Sequence, residues 1–174
     1  GDELLAFVDE KLFPTLRNLD ISIGNGRALI VREVFMGNNN YMKSGINIRK
    51  VLNKLNELDF NIAKERHAFG ELYEGILKDL QNAGKSGEYY SPRAITGFLT
   101  EMINPKLGEK ILDPSCGTGG FLTSSIEHLK KQANSVEERN SIQDNVIGWE
   151  YKPLPYLLAI TNLILHDIEL PKIS

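Results

Sequence analysis

The chain has a single cysteine, Cys116, in 174 residues, so no internal disulfide can form and the sequence asks for no oxidising compartment. It has no apolar run near the length of a membrane span and no secretory leader pattern, which makes a soluble, cytoplasmic protein the expectation. Its three histidines, His67, His128 and His166, are scattered without ligand spacing, and no metal site is expected. No two prolines are adjacent, no segment repeats, and beyond the run Asn38, Asn39 and Asn40 nothing is of low complexity.

What is present is ordinary for a packed protein: 41% apolar residues and a net charge of −3. That charge argues against a chain that wraps a polyanion by bulk electrostatics, yet it is unevenly spread. Between residues 24 and 56, Arg27, Arg32, Lys43, Arg49, Lys50 and Lys54 stand against Glu33 alone. This basic stretch suits nucleic-acid phosphates or an acidic partner, and equally suits a solvated helix face balanced elsewhere. The ends show no change of composition, and an excised fragment of one or two domains is expected.

The first half reads as helical. Leu4, Leu5, Val8, Leu12 and Phe13 predict a helix over residues 2–18, bent near Pro14. A second follows the turn at 20–26 and stops at Gly37, and a third spans 45–58. Phe69, Leu72, Tyr73, Ile76, Leu77 and Leu80 trace one face of a fourth over 68–80, with Gly84 available as its stop. His67, at its start, reads first as a capping or core histidine. Residues 1–84 thus form an all-helical domain and 83–87 a small-residue linker.

From residue 85 the pattern changes to strand, helix, strand, helix, which implies a parallel sheet with right-handed crossovers. Ser91 is a good N-cap and Pro92 a good first residue for a helix whose buried face would be Ile95, Phe98, Leu99, Met102 and Ile103. Ile111 and Leu112 end a strand at Asp113, after which Gly117, Gly119 and Gly120 free the backbone and open a helix that packs through Phe121, Leu122, Ser125, Ile126 and Leu129. Residues 133–145 read as a polar surface connection with one loose helical turn. A second strand, Val146 to Glu150, also ends in an acid, and a further helix runs over 153–166.

The glycine turn is a ligand loop. A phosphate loop needs Lys-Ser/Thr after its glycines, where Phe121 and Leu122 stand. A dinucleotide fingerprint needs glycine at position 122, which is leucine. Two carboxylates at adjacent strand ends, Asp113 and Glu150, suit instead a ligand with an ammonium group and a ribose diol. Cys116 reads as a small loop residue, since no histidine stands in a motif relation to it.

The stretch Asp113-Pro-Ser-Cys-Gly-Thr-Gly-Gly-Phe121 resembles the S-adenosylmethionine motif of amino-group DNA methyltransferases, in the form used by modification subunits of type I restriction-modification systems. Gly87-Glu-Tyr-Tyr-Ser-Pro-Arg93 resembles their methionine-binding segment, and Gly148-Trp-Glu150 with Thr161–Ile168 resembles the ribose-binding strand end and its following helix. The resemblance implies a helical N-terminal domain (1–84) that helps hold DNA and meets the specificity subunit. Residues 85–174 would then be the first, incomplete half of a Rossmann-like methyltransferase fold. It implies S-adenosylmethionine as cofactor: Asp113 for the ammonium, Gly117, Thr118, Gly119 and Gly120 for close backbone approach, and Glu150 for both ribose hydroxyls. Glu88, Tyr89, Tyr90, Ser91, Pro92 and Arg93 would form the methionine end, with Ser91 to Arg93 at its carboxylate. Trp149 and Tyr151 either cover adenine or, for Trp149, face inward.

The implied activity is methyl transfer to adenine N6 in double-stranded DNA, beside specificity and restriction subunits. No catalytic residue is expected within the chain, because the Asn/Asp-Pro-Pro-aromatic motif of that family lies beyond the position of Ser174. Two rivals stand: a single-chain adenine methyltransferase with a fused target-recognition domain, and a non-catalytic interaction module of the same fold. Asp113, the glycines and Glu150 count against the second.

Overall fold

A computed structural model describes residues 1–21, 26–82 and 90–174, and divides them into two compact units, Gly1–Arg66 and His67–Ser174. In the first, α1 (Asp2–Phe7) runs through one π-helical stretch, Val8–Leu12, into α2 (Phe13–Arg17). Phe13 N–H bonds back to Val8 O, five residues earlier, so the ladder widens just before Pro14, whose nitrogen has no hydrogen to give. The irregularity expected at Pro14 therefore takes the form of a π turn.

Helix α3 (Gly26–Gly37) is tied to α2 by Arg17, which donates to Phe35 O at 2.9 Å and Asn38 O at 2.9 Å, carbonyls at the end of α3. Phe13 and Phe35 meet edge to face with centroids 4.8 Å apart beneath it. Helix α4 (Gly45–Leu55) starts at Ser44, whose hydroxyl accepts from Asn47 N–H, and ends before the expected 58. The basic stretch lies on this unit, and Lys54 is paired with Glu57 at 2.9 Å, an acid just outside it.

Helix α5 (Ala63–Asn82) carries Tyr73 and Leu77, which pack with Leu165 as a buried cluster, flanked by Phe69, Tyr90 and Leu158. Each such burial contributes about 1.5–3 kcal/mol. Most of the helix therefore belongs to the second unit, and the compact units divide well before the 84/85 boundary read from the sequence. The expected stop at Gly84 and the linker 83–87 lie outside the described residues.

The second unit continues α6 (Arg93–Ile103), β1 (Ile111–Asp113), α7 (Gly120–Lys130), α8 (Val136–Asn145), β2 (Val146–Gly148), α9 (Pro153–Leu165) and β3 (Lys172–Ile173). The strands lie parallel in the order β1-β2-β3, with Asp113 beside Gly148 and Gly148 beside Ile173. Among the described residues this gives a mostly helical chain with a small parallel sheet.

Three expectations change. The loose turn at 136–142 is a full helix, because Ser135 caps it by accepting from Glu138 N–H at 3.1 Å and Ile142 is buried. β3 went unforeseen, being two residues without periodicity. And α6 buries the wrong face for its pattern: Thr96 and Thr100 are buried, whereas Phe98 is 59% and Ile103 78% exposed. Small hydroxyl residues on α6 and α7 let the two helices approach closely, with Thr96 Oγ1 2.7 Å from Ser124 Oγ.

Candidate functional site

The two strand ends are locked in register beyond their last paired residues. Trp149 N–H donates to Asp113 O at 2.9 Å, and Cys116 N–H donates to Trp149 O at 2.9 Å. The chain then turns through Gly117 and Gly119, whose φ values of 55° and 80° lie in the left-handed region, and α7 begins. Asp113 Oδ1 accepts from Ser115 N–H at 3.1 Å, an Asx turn that starts the curvature.

Glu150 closes the loop from the neighbouring strand end. Its Oε2 accepts from Gly117 N–H at 3.0 Å and its Oε1 from Lys152 N–H at 2.8 Å. Each oxygen keeps a second lone pair. Asp113, Glu150, Gly117 and Gly120 line a cleft of about 380 Å³ together with Ser91 and Phe121. That volume falls in the range of small-molecule sites, roughly 300–1,000 Å³. A larger cavity of about 700 Å³ opens elsewhere in the unit, and several of its lining groups are paired: Arg93 with Glu74, Lys130 and His67 with Asp167 beside it, His166 with Glu127. The Glu127 carboxyl is held below the usual carboxylate range by its hydrogen bond to His166.

Cys116 lies under the loop, 5% exposed. Burial, with the charges of Asp113 and Glu150 added, pushes its thiol up to about 12, so no thiolate is present at neutral pH. It is packing, as its sequence context suggested.

The residues expected at the methionine end separate. Ser91 lines the cleft, but Pro92, with φ −55° and ψ 135°, is the N-cap, and no side chain caps α6. The start of α6 is thus one residue later than read, and Ser91 is not its side-chain cap. Tyr90 is half-buried against the Tyr73–Leu77–Leu165 cluster rather than in the cleft, and burial raises its pKa. The Arg93 guanidinium turns to Glu74 Oε1, Thr123 Oγ1 and Gly120 O, the last at 2.7 Å. Glu88 and Tyr89 lie outside the described residues. Trp149, 52% exposed, and Tyr151, 99% exposed, do not face inward.

Two positions that shape the loop carried signals that sequence reasoning passed over. Gly148 ends a strand where a Cβ would stand 2.8 Å from Leu122 Cδ1 and 2.9 Å from Cys116 Sγ. A glycine in a strand marks such a close approach. Gly148→Ala is expected to cost about 1–3 kcal/mol in urea unfolding, as overpacking does when the neighbours are themselves buried. Asn162 is a lone amide on an apolar helix, 1% exposed, and its Nδ2 donates to Thr118 O at 2.9 Å.

Comparison with known proteins gives a consistent set of likenesses. The family described as N-6 DNA Methylase matches residues 64–174. The methylase subunit of the type I restriction enzyme EcoEI from Escherichia coli is 51% identical over 98% of this chain. That of EcoKI from E. coli K12 is 29% identical over 97%. A crystal structure of a modification subunit assigned to a type I restriction enzyme of Vibrio vulnificus YJ016 matches all of the chain, with 41% identity and a TM-score of 0.81. A chain from a type I R-M system, studied for complex assembly and conformational transition, matches 99% of it, with 33% identity and a TM-score of 0.87. The chain spans about a third of the length of these curated relatives, 35% and 34%.

Proposed function

The chain belongs to the N-6 DNA methylase family, and from that premise we propose that its protein is the modification subunit of a type I restriction-modification system, methylating adenine N6 in double-stranded DNA. The observation that carries the reading is the paired site: a glycine loop at the end of β1 whose Gly117 N–H is held by a carboxylate from the end of β2. Ligands of parallel sheets bind beyond the carboxyl ends of the strands, where this cleft lies. The arrangement supports the first half of a Rossmann-like fold.

The donor set fits S-adenosylmethionine, which supplies an electrophilic methyl group when bound. Glu150, fixed by two backbone N–H groups, has the free lone pairs to accept both ribose hydroxyls. Asp113 takes the ammonium, directly or through water, and Gly117, Thr118, Gly119 and Gly120 let the ligand lie against the main chain. Ser91 stands at the methionine end, before the first turn of α6, where a carboxylate is favoured. Holding the sulfonium in line with its acceptor is where the rate would come from. The target base must leave the duplex to reach such a cleft. The 174 residues contain no Pro-Pro, so the groups that grip the base are not among them. Target choice then falls to a specificity subunit and cleavage to a restriction subunit, in the cytoplasm, with the N-terminal domain, residues 1–84, helping to hold DNA.

The test is methyl incorporation by the full-length protein with its specificity subunit, from labelled S-adenosylmethionine into duplex DNA, read by nucleoside mass spectrometry. N6-methyladenine is the expected product. N4-methylcytosine, or no label in DNA under conditions where the cofactor binds, would overturn the reading.

A further inference from the structure

A loop with three glycines has much backbone freedom to lose. Gly119 N–H closes on Cys116 O at 2.7 Å within it, and Thr123 Oγ1 of α7 lies 3.1 Å from Gly119 O and from Gly120 O. Two side chains from α9 and α6 add ties from outside, both on carbonyl oxygens. From α9, Asn162 Nδ2 donates to Thr118 O at 2.9 Å. From the start of α6, the Arg93 guanidinium donates to Gly120 O at 2.7 Å, and also to Thr123 Oγ1 in the first turn of α7. Arg93 is itself oriented by Glu74 of α5. In a trans peptide the carbonyl and the following N–H point in opposite directions, so holding these two carbonyls also fixes the N–H groups of Gly119 and Phe121.

We propose that Asn162 and Arg93 are positioning residues that pin the carbonyls of the glycine loop from either side and set its cofactor-ready shape, with Glu74 holding Arg93 in place. The binding half of the idea rests on the S-adenosylmethionine reading; the ordering half does not. Neither residue touches the cofactor in this account, and Arg93 moves from the methionine carboxylate to the back of the loop.

A residue that served packing alone would behave differently. Among the described residues Asn162 Oδ1 is buried with no hydrogen-bond partner, and Glu74 Oε2 likewise. Replacing the amide by leucine, of similar size and without polar atoms, removes that oxygen but leaves Thr118 O, on a residue 3% exposed, without its donor, so the two effects offset and overall stability should change little. The positioning role shows instead as faster local opening of the loop.

The test uses the full-length protein. In Asn162→Leu and Arg93→Met, amide hydrogen exchange across residues 113–122 without cofactor should quicken about tenfold. The melting temperature of Asn162→Leu should stay within about 4 °C of wild type. The calorimetric Kd for S-adenosylmethionine should rise about tenfold in both variants, and KM with it, while kcat at saturating cofactor moves less than threefold. Arg93→Lys, which keeps the charge and loses the fork, should fall between, and Glu74→Gln should resemble it. Wild-type exchange rates in the folded variants would overturn the proposal whatever the cofactor does. Failure of the wild type to bind S-adenosylmethionine would sink the cofactor reading instead, and the exchange rates would still judge the pins.

Discussion

Glu150→Ala in the full-length protein is expected to weaken S-adenosylmethionine by roughly 100- to 1,000-fold in calorimetric titration. Two hydrogen bonds from the ribose diol to a charged acceptor are worth about 1.5–3 kcal/mol each, and every 1.4 kcal/mol is tenfold. The variant also strips Gly117 N–H and Lys152 N–H of their acceptor, so the loop loses its tie to the end of β2. Glu150→Gln separates the two effects. Both carboxylate oxygens now accept from backbone N–H groups, and an amide offers one oxygen and one NH₂, which would face a second donor. Glutamine should therefore bind worse than a neutral isostere ordinarily would, within about tenfold of alanine. A Glu150→Ala protein that titrates within threefold of wild type would remove the ribose assignment and leave the glycine loop without its partner acid.

The candidate site's geometry was legible because its residues are local. Asp113, the glycine turn and a second acid-ended strand are each contained in a few residues, and the period of the chain placed them at strand ends. What the sequence did not show is how distant side chains meet the loop. Asn162 reads as one polar residue in Leu154–Leu165, and nothing nearby announces that its partner is Thr118. Arg93, inside a segment matched to a methionine-binding motif, gave no sign that Glu74 would turn it away from that end. Gly148 carried a signal, glycine in a strand, whose meaning depended on Cys116 and Leu122 arriving beneath it.

The fold divided the same way. Helix α8 followed from Ser135 and Glu138, a capping pattern outvoted by the polarity of its residues. Helix α5 was found, but its allegiance was not, because Tyr73 and Leu77 choose the second unit by packing on Leu165, far along the chain. Two-residue β3 has no period to read, and only its pairing with β2 makes it a strand.

The face of α6 points to a second large effect. Its apolar stripe was expected inside, because Ile95, Phe98, Leu99, Met102 and Ile103 recur at helical spacing. That stripe is open, with Phe98 59%, Met102 64% and Ile103 78% exposed, and Leu112 of β1, an edge strand among the described residues, is 51% exposed. Ile103, Leu112 and Phe121 also line one apolar cavity of about 290 Å³, so the face and the edge form a continuous surface. Apolar patches of this kind, beside an unpaired strand edge, associate. The isolated 174-residue chain is therefore expected to sediment as oligomers at tens of micromolar and to bind an apolar dye. Phe98→Glu with Met102→Lys and Ile103→Asp should return it to a monomer with unchanged far-ultraviolet circular dichroism, since these side chains are mostly exposed. In a chain as long as the EcoEI methylase subunit, of which these residues match 35%, the sign should reverse: the same three charges would lower the melting temperature where further chain covers the stripe. Monomeric, dye-silent behaviour of the unsubstituted 174 residues would show that the stripe is no docking face at all.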